Sequence, residues 1–390
     1  MSKLEKRVLD WVQQHLFVIF CIAVTLCSMM IRFYFRKFES GDYSECLLPW
    51  WKEIREAGGI FALKEQVGNY NMLYQLLIAL MTYLPIKPLY EYKILSIIFD
   101  YLLAAVVGYL IYDMLGKDKY KGVLAYAAVI MSPIVFLNSS AWSQCDAIYV
   151  FFIILSLLFI FNEHYTLSFI MVGIAFSFKL QTIFVIPFFV FLYVYKKRFS
   201  ILNFLIIPLT MCITAIPCLV TGRNVREVFS NYLLQVDTYS SMSLNYPSIW
   251  IIFSRGGGFE TLKNPAIIVT VTILGIFMYM WLRNEHAFGK KELLKGAFLI
   301  VYTCVLFLPD MHERYGYLYE ILAIMIAFID QRTSLLCIIL NMLSVVTYGA
   351  YLYHTSYNDI VLAVINVLTY IFYLYLLLPD LTGKEKADNK

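Results

Sequence analysis

The chain has 390 residues, of which 61% are hydrophobic and 15% charged, and its formal net charge is +4. Its mean hydropathy of +0.71 excludes a soluble globular protein. The basic residues are scattered among short loops, so the positive balance gives no indication of nucleic-acid binding and serves as a topology signal.

The first apolar run, residues 16–34, predicts a retained membrane span. It is too long for the core of a signal peptide, and no small-residue cleavage site follows it. Lys3, Lys6 and Arg7 precede it. Because positive residues favour the cytoplasmic side, we expect a cytoplasmic N-terminus and an outer segment after Arg36.

The next apolar run, residues 72–86, is predicted not to cross the membrane. If it crossed, every later loop would change sides and most Lys and Arg residues would lie outside, against the positive-inside rule. We therefore interpret residues 37–93 as one extracytoplasmic loop. Its two helices, "LLPWWKEIREAGGIFALK" and "NMLYQLLIALMTYLP", are expected to lie on or dip into the outer leaflet as juxtamembrane helices.

The remaining apolar runs predict eleven further spans and a second long outer loop at residues 222–263. With the first span they give an all-α polytopic membrane protein of about 12 transmembrane helices, forming a single unit over residues 1–390 with both termini cytoplasmic. The compact loops and Lys-rich inner segments suit a bacterial cell membrane. The expected spans are 94–115, 122–138, 146–161, 166–178, 181–195, 200–221, 264–283, 295–309, 315–329, 333–353 and 358–378.

Four polar clusters fall at the outer membrane surface in this topology: "ESGDYSE" (39–45), "NSSAWSQCD" (138–146), "FKLQ" (178–181) and "DMHERYGY" (310–317). Charged groups at membrane depth are costly and normally face a cavity or each other. Their shared level therefore predicts one water-accessible pocket.

The acidic members of these clusters each have a simpler explanation. Glu39, Asp42 and Glu45 could form the hydrated side of a juxtamembrane helix. Asp146, together with Gln144, could cap the next span. Asp42 differs because it follows Gly41 where the first span surfaces.

The basic members also leave alternatives open. Lys179 could extend to the surface or pair with Asp100 inside the membrane. Arg314 carries the planar fork that suits a phosphate, whereas a structural ion pair with Glu313 is the alternative. His312 could orient a substrate or donate a proton to a leaving oxygen.

At these residues the chain resembles bacterial membrane proteins related to GPI mannosyltransferases, within the GT-C glycosyltransferase superfamily. The resemblance runs from about Asp42 to Tyr317. It rests on the order of "SGDY", "LLPWWKEIREAGG", "NYNMLY", "WSQCDAIYV", "FSFKLQTIFVIP" and "LPDMHERYGY".

The resemblance implies an enzyme that transfers a hexose, mannose being one candidate, from a polyprenyl-monophosphate donor to an extracytoplasmic glycan or lipid-linked acceptor. Asp42 lies where that family's catalytic base is expected. A carboxylate and an amide make a poor divalent site, and no acid adjoins Asp146, so neither a metal nor a cofactor is expected. A flippase for lipid-linked glycans and a protein O-mannosyltransferase remain alternatives.

Besides Asp42, eight residues of the polar clusters are predicted to contact substrates. Those predicted to hold the donor phosphate are Arg314, His312 and Lys179. Those predicted to bind other parts of the substrates are Glu313, Tyr315, Asp146, Gln144 and Gln181.

Overall fold

The structure is a computed structural model that describes residues 1–236, 240–255, 257–283 and 288–382. These residues form an all-α membrane protein. Their strand pairing is one short parallel contact between Ser243–Leu244 (β1) and Met311–His312 (β2). This contact joins the second long loop to the segment that carries His312.

The first half of the chain contributes nine helices. They are α1 (Lys3–Tyr34), α2 (Leu48–Glu56), α3 (Met72–Met81), α4 (Pro88–Met114), α5 (Lys119–Ile130), α6 (Pro133–Phe136), α7 (Asp146–Phe161), α8 (Tyr165–Phe178) and α9 (Ile186–Lys196).

The described part of the second half contributes eight more. They are α10 (Ile206–Val220), α11 (Val225–Val236), α12 (Ile249–Ser254), α13 (Phe259–Leu282), α14 (Lys290–Phe307), α15 (Tyr317–Ile329), α16 (Ser334–Tyr353) and α17 (Asp359–Thr382).

Six helices in the described residues are long and apolar enough to cross a membrane, or seven if the bent segment of α5 and α6 counts as one span. The twelve expected crossings are therefore not confirmed. The difference lies in α7, α8, α9 and α15, which have 11 to 16 residues, and in α14, which begins with Lys290, Lys291 and Glu292. Helices this short span less than the ~30 Å hydrocarbon layer.

The segment of residues 37–93 contains both of the helices predicted there. In α2, Trp51 and Ile54 are buried, whereas the charged residues between and after them are exposed. The second helix, α3, has ten residues and packs against α8 and α10. At 1.5 Å per residue it extends only about 15 Å, half the thickness of the hydrocarbon layer.

Charged residues gather at both ends of the helical bundle. At one end, Lys290 contacts Asp113 and Asn162, and Lys295 contacts Asp330 and Asp380. The other end carries the polar clusters predicted from the sequence. Because α7 starts at Asp146 and runs to Phe161, the two ends are about 24 Å apart along that helix.

Candidate functional site

Asp42 lies at the start of a short π-helical turn, Tyr43–Leu47, just after the first long helix. Ser40 fixes this turn: its hydroxyl donates to the Trp142 carbonyl at 2.9 Å and accepts from the Tyr43 backbone N–H at 3.2 Å. The side chain of Asp42 keeps 25% of its surface exposed. The turn therefore holds a partly exposed carboxylate against a buried segment of the chain.

The buried segment around Trp142 supplies two donors to Asp42. The indole N–H of Trp142 and the amide of Gln144 donate to Asp42 Oδ2, at 2.9 and 2.6 Å. Ser143, between them, has a positive φ of 65°, which lets the neighbouring side chains turn to the same carboxylate. Both donors are almost completely buried, so this oxygen is held firmly.

Arg314 links Asp42 to Asp146. Its guanidinium lies 3.6 Å from Asp42 Oδ2 and 3.7 Å from Asp146 Oδ2, and it also donates to Gln144 Oε1. Burial alone would lower the pKa of Arg314, but Asp146 and Asp42 outweigh it and raise that pKa well above its usual value. The guanidinium therefore stays charged between the two carboxylates.

Asp146 is fully buried, and its charge is balanced by Lys179, whose ammonium donates to Oδ1. Asn138 donates to the other oxygen at 2.8 Å. Lys179 reaches this position because α8 ends just before it and its own backbone is extended. The alternative pairing of Lys179 with Asp100 is wrong, since Asp100 pairs with Arg32 at 2.8 Å.

Two other simple explanations also differ from the observed contacts. Asp146 lies in the first turn of α7, but its carboxylate faces side chains and makes no cap hydrogen bond. The carboxylates within 4.0 Å of Arg314 are Asp42 and Asp146, not its neighbour Glu313. Glu313 is instead buried, with one oxygen 3.8 Å from His312 Nδ1.

A cavity of about 430 Å³ adjoins this cluster. Five of the predicted site residues line it: Lys179, Gln181, His312, Arg314 and Tyr315. Its other polar lining includes Lys263 and Asp310, so the described charged lining has more cations than carboxylates. The remainder of its wall is mostly apolar.

The other predicted residues do not line the cavity. Gln144 and Asp146 lie behind Arg314 and position it, as the contacts above show. Asp42 touches Arg314 from outside the cavity wall. Glu313 points away toward α16, although both of its neighbours face the cavity.

Three aromatic residues of this site were missed in the sequence. Tyr70 donates to Gln144 Oε1 at 2.7 Å, and Trp142 lies with its ring 5.0 Å from the Arg314 guanidinium. Tyr351 donates its hydroxyl to Asp42 Oδ1 and stacks on Trp142. The available signal was slight: Trp142 lies inside a polar cluster, and Tyr351 lies near the outer end of an expected span.

The carboxylates of this site do not fit a divalent cation. In the part of the chain that the structure describes, no group of three or more His, Cys, Asp or Glu is arranged to hold a metal ion. Asp146 already balances Lys179, and Asp42 already receives several donors and the Arg314 charge. A cation placed here would meet two positive side chains at close range.

Comparison with known families identifies the chemistry. The sequence model of glycosyltransferase family 87, a family of GT-C-type membrane enzymes, matches residues 69–309. No curated protein matches the chain. Because the family match covers more than half of the chain, the protein belongs to this family and is a glycosyltransferase. Asp42, His312 and Arg314 lie outside the matched residues.

Proposed function

We propose that this member of glycosyltransferase family 87 transfers a hexose, such as mannose, from a polyprenyl-monophosphate donor to a glycan or lipid-linked acceptor. The observation that carries the proposal is the 3.6 Å contact between the Asp42 carboxylate and the Arg314 guanidinium at the wall of a polar cavity. A proton acceptor and an anion-binding group are thus adjacent, as transfer from a sugar phosphate requires.

The donor phosphate is assigned to Arg314, His312 and Lys179. All three line the cavity, and Arg314 offers a fork of N–H donors that matches phosphate oxygens. Lys179 contributes from behind Asp146, which already engages its ammonium. Gln181 and Tyr315, also on the wall, are assigned to the donor sugar.

An apolar groove supports a lipid carrier for this phosphate. A second cavity, of about 330 Å³, is lined by Ile186, Pro187, Val190, Phe191, Val271, Leu274, Gly275, Met278, Trp281 and Ile300. Both cavities lie along the seam between the segment 180–191 and α13. On α13 the first ends at Ile267 and the second begins at Val271, one helical turn further.

The length of this seam also suits a long lipid. Residues 263–281 of α13 line the two cavities and extend about 27 Å, close to the thickness of the hydrocarbon layer. A polyprenyl chain in the groove would stay among apolar groups while its phosphate reached Arg314. A soluble nucleotide sugar would have no use for such a groove.

The proposed step is a single displacement. The acceptor hydroxyl attacks the anomeric carbon and gives its proton to Asp42. The bond from that carbon to the phosphate oxygen breaks, and its electron pair leaves on the phosphate, where Arg314, His312 and Lys179 stabilise the added charge. One displacement inverts the anomeric configuration. Gln144 and Asp146 orient Arg314, and Glu313 is assigned to the acceptor side.

We place this site on the extracytoplasmic face of the cell membrane, with both termini cytoplasmic. The Lys-rich contacts around Lys290 and Lys295 lie at the end of the bundle opposite Asp42, which agrees with the positive-inside rule. The chain then forms one membrane-embedded unit, in which residues 37–93 and 222–263 are outer loops. The short α3 supports a first loop that does not cross.

The function is tested with purified full-length protein in lipid nanodiscs. Radiolabelled polyprenyl-phosphate mannose, glucose and galactose are supplied with a panel of octyl glycosides as acceptors. We expect label in a new, inverted glycosidic product from one of these donors. Donor lipid that changes leaflet without chemical change would instead favour a flippase, and label in protein alone would favour an O-mannosyltransferase.

The lipid groove has its own test. Gly275 lines it, and no atom lies within 4 Å of a Cβ added there, so a larger side chain fits but fills the groove. We expect Gly275→Phe to raise the KM for a long-chain donor about tenfold (~1.4 kcal/mol) and to leave a ten-carbon donor unaffected. Gly275→Ala is the matched control. Equal effects on both donors would contradict the groove assignment.

A further inference from the structure

Both oxygens of the proposed base are already occupied, and they are occupied differently. Oδ2 accepts from two buried donors, Trp142 and Gln144, and faces Arg314. Oδ1 accepts from the hydroxyl of Tyr351. Because Oδ2 is held by fixed groups, Oδ1 is the oxygen that can take a proton from a substrate. Tyr351 therefore occupies the place of the reacting hydroxyl.

The ring of Tyr351 is also placed as a sugar ring would be. It stacks on the Trp142 indole, with centroids 4.4 Å apart and an interplanar angle of 16°. Arg314 lies over Trp142 as well, at 5.0 Å. Trp142 is completely buried in this arrangement. An aromatic face of this kind is a common platform for the apolar side of a pyranose, and here Tyr351 covers it.

We propose that Tyr351 is a built-in stand-in for the acceptor sugar, and that the acceptor subsite consists of the Trp142 face and Asp42 Oδ1. An acceptor pyranose displaces Tyr351, stacks on Trp142 and donates its reacting hydroxyl to Oδ1. Without an acceptor, the phenol keeps Oδ1 occupied, so water cannot be activated to attack the donor. The proposal rests on the function proposed above and adds the location of the acceptor and its control over the base.

The position of Tyr351 in its helix makes this exchange feasible. It lies in the last turn of α16, which ends at Tyr353, and residues 354–358 that follow have no helical structure. The last turn of a helix opens at low free-energy cost. Gly41 leaves room beside the phenol, since a Cβ there would lie 3.4 Å from its oxygen. Tyr351 itself is only partly buried.

The test compares Tyr351→Phe with Tyr348→Phe. Tyr348 lies on the same helix and also packs on Trp142, edge-on at 5.1 Å, but its buried hydroxyl has no hydrogen-bond partner. The two substitutions are therefore chemically identical, and one of them removes the contact with Asp42. Full-length protein in nanodiscs is given radiolabelled polyprenyl-phosphate hexose, first without an acceptor and then with the octyl glycoside that the wild-type protein uses.

We expect Tyr351→Phe to increase the release of free hexose into water about tenfold, as expected for loss of one hydrogen bond to a charged group. We also expect a lower KM for the octyl glycoside, with kcat for transfer within about twofold of wild type. Asp42→Asn combined with Tyr351→Phe should abolish the added release. Tyr348→Phe should match the wild-type protein in every measurement.

Several results would overturn the inference. Hexose release that stays at the level of Tyr348→Phe would show that the phenol does not protect the base. An unchanged acceptor KM would show that the acceptor does not replace it. A large loss of kcat would make the phenol a proton carrier instead of a stand-in. In all three cases the wild-type protein still transfers hexose; if it transfers none from any donor, the proposed function itself fails.

Discussion

Arg314→Lys tests whether the site needs a fork or only a positive charge. The guanidinium lies 3.6 and 3.7 Å from two carboxylates. At an effective dielectric constant of about 20, each contact contributes roughly 4.5 kcal/mol of attraction before desolvation is counted. A lysine ammonium is a single point that cannot bridge both carboxylates and a phosphate. The substitution therefore keeps the charge but loses one carboxylate contact or the phosphate contact.

We expect kcat for transfer to fall by about 10²- to 10³-fold, which is the usual cost of losing one donor to a developing oxyanion. Donor KM should rise less, because Lys179 and His312 still line the cavity. The assay is conversion of radiolabelled polyprenyl-phosphate hexose by protein in nanodiscs. Arg332→Lys is the matched control, since Arg332 contacts Asp330 and Asp380 at the other end of the bundle. Turnover within threefold of wild type would refute the role of the fork.

Three further predictions concern the base, the metal and the pH. Asp42→Asn should lower kcat by at least about 10³-fold while donor binding, measured by equilibrium dialysis, stays within about threefold; Glu39→Gln is its control, and retained turnover would exclude Asp42 as the base. Chelation with EDTA should leave the transfer rate unchanged, because both site carboxylates already engage cationic side chains; a loss restored by Mg²⁺ or Mn²⁺ would contradict this. Hydrogen bonds from Arg332 and Lys295 hold the pKa of Asp330 well below its usual value, so its contribution to stability is present above the unfolded pKa of ~3.9 and is lost as the pH falls toward the folded pKa. Asp330→Asn should flatten this acid-side loss in melting curves, and an unchanged pH profile would contradict it.

The polar residues of the site were recognisable in the sequence because they violate the surrounding pattern. Asp42, Asp146, Lys179 and Arg314 each interrupt or border an apolar run, and burying a charge requires a partner. That argument predicts that such residues meet, but it cannot say which pairs form. It left Lys179 with Asp100 as one alternative, whereas the folded chain pairs Lys179 with Asp146.

The count of spans illustrates a second limit. Hydropathy alone treats α7, α8 and α15 as spans because each is strongly apolar, but their lengths of 13 to 16 residues are set by where polar residues end the helix. Tyr351 illustrates a third limit. It lies 309 positions from Asp42, and an ordinary tyrosine in an apolar helix carries no local signal of a distant partner.

Composition and the order of polar and apolar segments determined by themselves that this chain is a helical membrane protein with outlying charged clusters, because the cost of placing charges in hydrocarbon acts on every residue locally. The resemblance of those clusters to known enzymes indicated the chemistry. Only the tertiary structure decided that Arg314 bridges Asp42 and Asp146, that the polar cavity and the apolar groove share one seam, and that Tyr351 covers the base. These contacts join residues far apart in the chain, and packing between helices sets them.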